Sequence, residues 1–249
     1  MRHLLVAVVG WVWWVLLPVR KRVAVQNFGL VFPDESSGLL RRTVGEIVLG
    51  YLHLALGRRA QVEGADRVMG GGLCLAGHGG AWDLALVSAG FHVPITIFVR
   101  EPTNRLAAWA LARVRGRSDV ELLPPRGSMS AAREALERGR LVVFVQDQRH
   151  NDGVEVPFFG RPALTSAGFA ALAWRSRAPV FGAWQWWDGD GGHQLRFETL
   201  EPIFPETRDE AIVSLTRFSQ AFYEDRIRER PHSWLWLHKR WKRGSEEQR

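Results

Sequence analysis

Cysteine is almost missing from this sequence: Cys74 stands alone among 249 residues. One thiol makes no internal disulfide and no zinc-finger or zinc-ribbon ligand set, so a disulfide-stapled secreted scaffold is excluded and a reducing compartment is the simpler home. A Gly-x-Ser-x-Gly elbow is lacking too, and Cys74 lies inside the apolar run Gly72 to Ala76 as buried filler. No side chain therefore stands ready to carry an acyl group covalently. Long apolar runs are also scarce. The uncharged stretch Leu4 to Leu17 has 14 residues, short of the roughly 20 that a bilayer-spanning helix needs. Lysine is rare, at Lys21, Lys239 and Lys242, and tyrosine counts 2 against 12 tryptophans.

What is present points to a folded, cationic chain. With 46% hydrophobic and 24% charged residues, disorder, collagen and coiled coil are excluded, and the length suits one sizeable domain. The formal net charge is +7, nearly all of the bases being arginine, which calls for an anionic partner. Six tryptophans sit at the ends, Trp11, Trp13 and Trp14, then Trp234, Trp236 and Trp241, with bases beside both groups. Tryptophan next to Lys or Arg is the pairing of a lipid headgroup boundary; ordinary core packing is the alternative. Since no RNP-like strand, finger spacing or basic heptad helix occurs, a membrane is favoured over nucleic acid.

Residues 1–22 are expected to form a retained, membrane-dipping anchor on the cytoplasmic side. A signal peptide is the competing reading, with Arg2 and His3 as a weak basic start. Against it, Pro18-Val19-Arg20-Lys21-Arg22 follows without a small-x-small cleavage site, and these cations oppose translocation. Residues 23–244 read as a single α/β domain and 245–249 as a disordered tail. Helical periodicity runs from Ser36 to Leu56. Apolar runs then alternate with helical segments: strands Gly72 to Ala76, Ile95 to Val99, Val120 to Leu123, Leu141 to Val145, Val180 to Trp186 and Leu195 to Leu200, and helices Trp82 to Ala89, Arg105 to Val114, Met129 to Arg138, Ser166 to Ser176, Arg208 to Arg230 and Ser233 to Arg240. The pattern predicts an α/β fold with a central, largely parallel sheet flanked by helices.

In such sheets the functional crevice lies beyond the carboxyl ends of the strands. His78, in Gly77-His78-Gly79-Gly80-Ala81-Trp82-Asp83, follows one strand; Arg100 follows a second; Gln146-Asp147-Gln148 follows a third. Glycines beside His78 let the backbone bend and a substrate approach. Asp83 is expected to point back at His78 and hold one ring nitrogen, leaving the other as a general base; a helix cap is the bland reading of Asp83. With no nucleophile of the protein's own, the base activates a substrate hydroxyl for direct acyl transfer.

Together, His78-Gly-Gly-Ala-Trp-Asp83, Gly153-Val-Glu-Val-Pro-Phe-Phe-Gly160-Arg-Pro-Ala163, Trp234-Leu-Trp-Leu-His-Lys-Arg-Trp241 and the upstream Arg22-Val-Ala-Val-Gln-Asn27-Phe-Gly-Leu-Val-Phe-Pro33 resemble the lipid A biosynthesis late acyltransferases. That family includes the phosphatidylinositol mannoside acyltransferases and is similar to the glycerolipid acyltransferases. The resemblance implies an acyl thioester on acyl carrier protein or coenzyme A as co-substrate, no further cofactor or metal, and a membrane glycolipid or phospholipid acceptor, a lipid A-type precursor first. It implies His78 as base, Asp83 as its orienting acid, Arg100 as a contact to phosphate or the acyl carbonyl, and Asp147 as an acid near the base. Alternatives are a salt bridge of Arg100 to Glu101 or Asp147, and loop capping by Asp147. Family members often carry Asn and Glu where this chain has Ala81 and Asp83. Phe158 and Phe159 are expected to line the acyl groove, with core packing as the alternative. The bases Arg20, Lys21, Arg22, Lys239, Arg240, Lys242 and Arg243 suit an anionic bilayer or an acidic carrier protein. Two rivals stand beside this reading: a metal-dependent hydrolase using His78, Asp83, Asp147, His150 and Asp152, and a non-catalytic lipid- or nucleic-acid-binding protein.

Overall fold

A computed structural model describes residues 2–100, 103–189 and 192–241. Three helices open the chain: α1 (Arg2–Val15), α2 (Lys21–Val31) and α3 (Leu39–Ala55). An α/β layer follows. Its strands are β1 (Gln61–Glu63), β2 (Gly72–Ala76), β3 (Ile95–Phe98), β4 (Val120–Leu123), β5 (Leu141–Val145), β8 (Val180–Trp187) and β9 (His193–Leu200). Between them come α4 (Trp82–Ala89), α5 (Arg105–Arg115), α6 (Met129–Glu137) and α7 (Gly168–Ser176), and α8 (Arg208–Glu229) closes the layer. A separate antiparallel hairpin pairs β6 (Val154–Phe158) with β7 (Arg161–Thr165).

The seven-stranded sheet has the order β1-β9-β8-β2-β5-β3-β4 and is parallel except where β9 runs against β8. Its central strands β2 and β5 are apolar along nearly their whole length and buried, as strands covered by helices on both faces must be. The helix predicted over Ser233 to Arg240 does not form. A 3-10 turn at Pro231–Ser233 leads instead into an irregular segment. Its indoles bury themselves in the core: Trp234 and Trp236 are each 1% exposed, stacked edge to face at 4.7 Å. The C-terminal tryptophans therefore pack the interior rather than a lipid boundary. Arg240 is buried with them and bonds the Leu164 carbonyl, Thr165 Oγ1 and Gln220 Oε1, so it leaves the set of surface cations. Lys242, Arg243 and the tail 245–249 lie outside the described residues.

At the N-terminus α1 packs on α3 through glycine. A Cβ at Gly45 would sit 2.2 Å from the Val6 carbonyl oxygen, and one at Gly10 equally close to that of Arg41. The absence of side chains at these two positions lets the helices approach. The opposite face of α1 carries exposed Leu4, Val8, Trp11 and Val15. Among the described residues no helix is long and apolar enough to cross a membrane.

Candidate active site

Parallel pairing of β2 with β5 puts Ala76 beside Val145. Two residues farther along each strand stand His78 and Asp147, so the sheet register delivers imidazole and carboxylate to each other at its C-terminal edge. His78 Nδ1 lies 2.8 Å from Asp147 Oδ1, and the His78 backbone N–H donates to Asp147 Oδ2 at 2.7 Å. The Trp234 indole N–H donates to that same Oδ2 at 2.8 Å. Asp147 is fully buried, its two oxygens engaged by three donors, whereas the His78 side chain keeps 21% exposure.

Electrostatics follow from this geometry. Burial alone pushes the His78 pKa down, but the Asp147 charge and hydrogen bond outweigh it and hold the imidazole above its ordinary value. Asp147 meets the complementary balance. Burial raises it, and the charge and bonds of His78, with help from Trp234, carry it below the usual carboxylate range. With an ionised carboxylate on Nδ1, the proton of neutral His78 resides there and Nε2 is left as the base.

Asp83 takes another part. The sequence reading expects it to orient His78; the structure gives that bond to Asp147. Asp83 lies in the first turn of α4, is 1% exposed, and accepts from Arg115 at 2.7 Å and from the Tyr51 hydroxyl at 3.0 Å. Residue 83 thus ties α4 to α3 and α5 behind the His78 turn, with Arg115 also lying over the Trp82 ring. Burial pushes the Tyr51 hydroxyl far up, and the Asp83 charge adds to it, so this hydroxyl remains a donor to Asp83. Sequence reasoning assigned nothing to Tyr51 or Arg115. No spacing signal marks them, since they come from 32 residues on either side of Asp83.

The C-terminal segment clamps the His78 loop from above. Leu235 N–H donates to the His78 carbonyl and Gly80 N–H to the Ser233 carbonyl. Asn27 of α2 in turn bonds the carbonyls of Trp236 and His238 through its side-chain amide. The upstream and C-terminal motifs noted in the sequence therefore meet over the same loop.

His78 opens into a cavity of about 360 Å³. Trp82, Phe98, Met129 and Phe144 form apolar parts of its wall, and Arg100, Arg149 and His150 stand on its polar side. Arg100 thus faces the same cavity as His78; Glu101 lies outside the described residues. Cys74 is fully buried and its thiol is pushed well up by desolvation, which makes it inert. Among the described residues no group of three His, Cys, Asp or Glu side chains gathers as a metal-ligand set.

Phe158 and Phe159 do not lie on this cavity wall. Phe158 is fully buried, stacked on Trp241 with centroids 5.6 Å apart and close to Trp234. Phe159 turns away toward Phe32 and α8, where its N–H donates to Glu224 and Arg228 covers its ring. The cause is the hairpin turn, in which Phe159 and Gly160 both take positive φ, 51° and 68°, the pairing of a tight two-residue turn. Replacing Phe158 by alanine should cost about 3–5 kcal/mol of stability by cavity formation and leave product chain length unchanged. Denaturant melts and mass spectrometry of the products check the two halves of that expectation.

Comparison with known proteins adds to this geometry. Residues 54–243 match the family model described as bacterial lipid A biosynthesis acyltransferase. No curated protein matches the chain. Among solved structures, the crystal structure of the 1-acyl-sn-glycerophosphate (LPA) acyltransferase PlsC from Thermotoga maritima is similar, with a TM-score of 0.45 and 16% identity, over 94% of this chain and 100% of that one.

Proposed function

The chain belongs to the bacterial lipid A biosynthesis acyltransferase family and is an acyltransferase, and from that premise we propose that it moves a fatty acyl chain from a thioester to a hydroxyl of a membrane glycolipid by general-base catalysis at His78. Nε2 takes the proton of the acceptor hydroxyl as its oxygen attacks the thioester carbonyl. The tetrahedral intermediate collapses, the C–S bond breaks, and the imidazolium returns its proton to the leaving thiolate. Asp147 acts through His78, setting the tautomer and stabilising the imidazolium. Asp83 acts at one remove, anchoring α4 and hence the turn that carries the base. The observation that carries this reading is the 2.8 Å contact of His78 with Asp147 at the mouth of a half-apolar cavity.

The donor is an acyl thioester on acyl carrier protein or coenzyme A, and the acceptor a lipid A-type precursor or another glycolipid or phospholipid. The apolar wall formed by Phe98, Met129 and Phe144 is the surface that suits the acyl chain. Docking at the cytoplasmic face of the inner membrane is supported by the outward apolar face of α1, where Leu4 is 67% and Trp11 51% exposed beside Leu16 and Leu17. That face matches an amphipathic helix lying in the lipid interface.

The reading is tested by mass spectrometry of lipids from cells with and without active protein, paired with fractionation of the two cultures. The expected result is one acyl chain gained on a single glycolipid species, with the protein in the membrane fraction. Identical lipids in both cultures, and no transfer by purified protein from acyl-coenzyme A or acyl carrier protein to that glycolipid, would overturn it.

A further inference from the structure

Three donors reach Asp147, and two of them belong to His78 itself: the ring at Nδ1 and the backbone N–H. Bonds within the pair hold its members to each other and leave open how the pair as a whole is aimed. A carboxylate also turns readily about its Cβ–Cγ bond, a torsion with broad wells. The third donor comes from elsewhere in the chain. The Trp234 indole N–H meets Oδ2 at 2.8 Å across 87 positions of sequence and ties the carboxylate to the body of the protein.

The indole is itself held. Its ring meets Trp236 at 4.7 Å, Phe158 at 5.7 Å and Trp241 at 6.5 Å, each nearly edge to face. Backbone bonds fix it to the same loop that bears the base. Trp234 bridges Gly79 in antiparallel fashion, with Gly80 N–H donating to the Ser233 carbonyl at 2.6 Å and Leu235 N–H to the His78 carbonyl at 3.0 Å. Ser233 is gripped in turn by the Trp184 indole of β8, which donates to its Oγ at 3.0 Å. A closed circuit results: His78 to Asp147 by the ring, Asp147 to Trp234 by the indole, and Trp234 back to the His78 loop by the backbone. An indole suits this position, because it donates one hydrogen bond, accepts none and does not titrate.

We propose that Trp234 is a positioning residue of the transfer reaction: its indole N–H fixes the Asp147 carboxylate and so aims Nε2 of His78 at the acceptor hydroxyl. This role rests on the general-base reading above. At 1% exposure the indole touches no substrate, so it acts through Asp147. Without the bond the carboxylate can turn, and a displacement of the base by about 1 Å costs up to roughly 10²-fold in rate. The indole also draws charge from Oδ2, and Trp234 is among the causes that hold Asp147 below the usual carboxylate range. Its loss concentrates that charge on the bonds to His78, so the imidazolium is favoured and the His78 pKa moves farther up. The other titratable and charged groups around the pair keep their places in a Trp234 variant: Asp83 acting on His78, Tyr223, His238 and Arg240 acting on Asp147, and Arg100, Arg149 and His150 on the cavity.

The test is Trp234→Phe in the full chain, which keeps an aromatic ring against Phe158 and Trp236 and removes the donor. Trp241→Phe is the control, since it removes an indole of the same cluster whose N–H goes to the Phe158 carbonyl instead. Steady-state kinetics use the thioester and glycolipid that serve the wild type. The His78 titration is followed separately, without turnover, by NMR of isotope-labelled histidine assigned with His78→Ala. Trp234→Phe should lower kcat by roughly 10- to 100-fold with KM within about threefold. It should move both the acid limb of kcat/KM and the His78 titration to higher pH, the direction opposite to Asp147→Asn. In an Asp147→Asn background the same change should cost no more than about twofold, because the carboxylate it serves is gone. Trp241→Phe should leave kcat and the titration in place. If Trp234→Phe folds poorly, benzothienylalanine at position 234, with sulfur where the indole has N–H, preserves the shape and gives the same readouts. A folded variant whose His78 titration is unmoved or lowered, or whose kcat stays within about twofold of wild type, overturns the proposal, as do equal losses in Trp241→Phe. A titration shift in a protein that transfers no acyl group would instead overturn the transferase reading and leave the hold of Trp234 on Asp147 standing.

Discussion

Replacing His78 by alanine should lower turnover by roughly 10²- to 10⁴-fold, the usual worth of a positioned general base, while circular dichroism and thermal melts stay close to wild type. The side chain is part-exposed at a cavity mouth, so its removal opens little in the core. Asp147→Asn should be nearly as severe, for a reason specific to this site. Asp147 Oδ2 accepts from both the His78 backbone N–H and the Trp234 indole. An asparagine will therefore point its carbonyl oxygen at those two donors and its NH₂ at His78 Nδ1. Nδ1 must then accept, the ring proton moves to Nε2, and the base is lost while the fold is kept.

The pH profiles separate these effects. In the wild type, His78 is raised above its ordinary value because the Asp147 charge outweighs burial. A base must be unprotonated, so kcat/KM should rise with pH through this elevated pKa. Removing the charge leaves burial dominant, and the acid limb of Asp147→Asn should move to lower pH as its plateau drops. Asp83→Asn should move that limb less, because Asp83 affects His78 only through space and ranks below Asp147 among its influences. An equal or larger shift in Asp83→Asn would return the orienting role to Asp83.

Arg115→Met should destabilise the protein by about 3–5 kcal/mol, the cost of breaking a buried ion pair from one side. Arg115 is 5% and Asp83 1% exposed, so the substitution leaves a carboxylate in the interior with, among the described residues, the Tyr51 hydroxyl as its remaining side-chain donor. The double variant Asp83→Asn/Arg115→Met removes the stranded charge and should regain most of the loss. A cycle of the four proteins in denaturant measures this coupling. Strictly additive losses would mean that the pair does not hold α4 in place. Activity should follow stability here, since α4 starts directly after the turn that bears His78.

Much of the scaffold was legible in local pattern. Strands β2, β4 and β5 and helix α4 fall where the apolar runs and helical spacing put them, with the other expected boundaries off by one to three residues. The failures share a cause. The segment after Ser233 has the composition of a helix, yet the burial of Trp234 and Trp236 and the bonds to the His78 loop impose an irregular path. Residues 154–165 read in sequence only as a motif, whereas the fold pairs them as strands, and Phe158 and Phe159, which the sequence reading puts on an acyl groove, pack instead on Trp241 and against α8.

The chemistry divides along the same line. Spacing along the chain was enough to select His78, because a histidine between glycines at the end of an apolar run is a local feature. It was also enough to name Asp83, Arg100 and Asp147 as groups near one sheet edge. Which carboxylate holds the imidazole depends on strand neighbours, and β5 lies beside β2 although 64 residues of chain run between Ala76 and Leu141. Long-range register, set by the packing of whole layers, brings Asp147 to His78 and turns Asp83 toward Arg115.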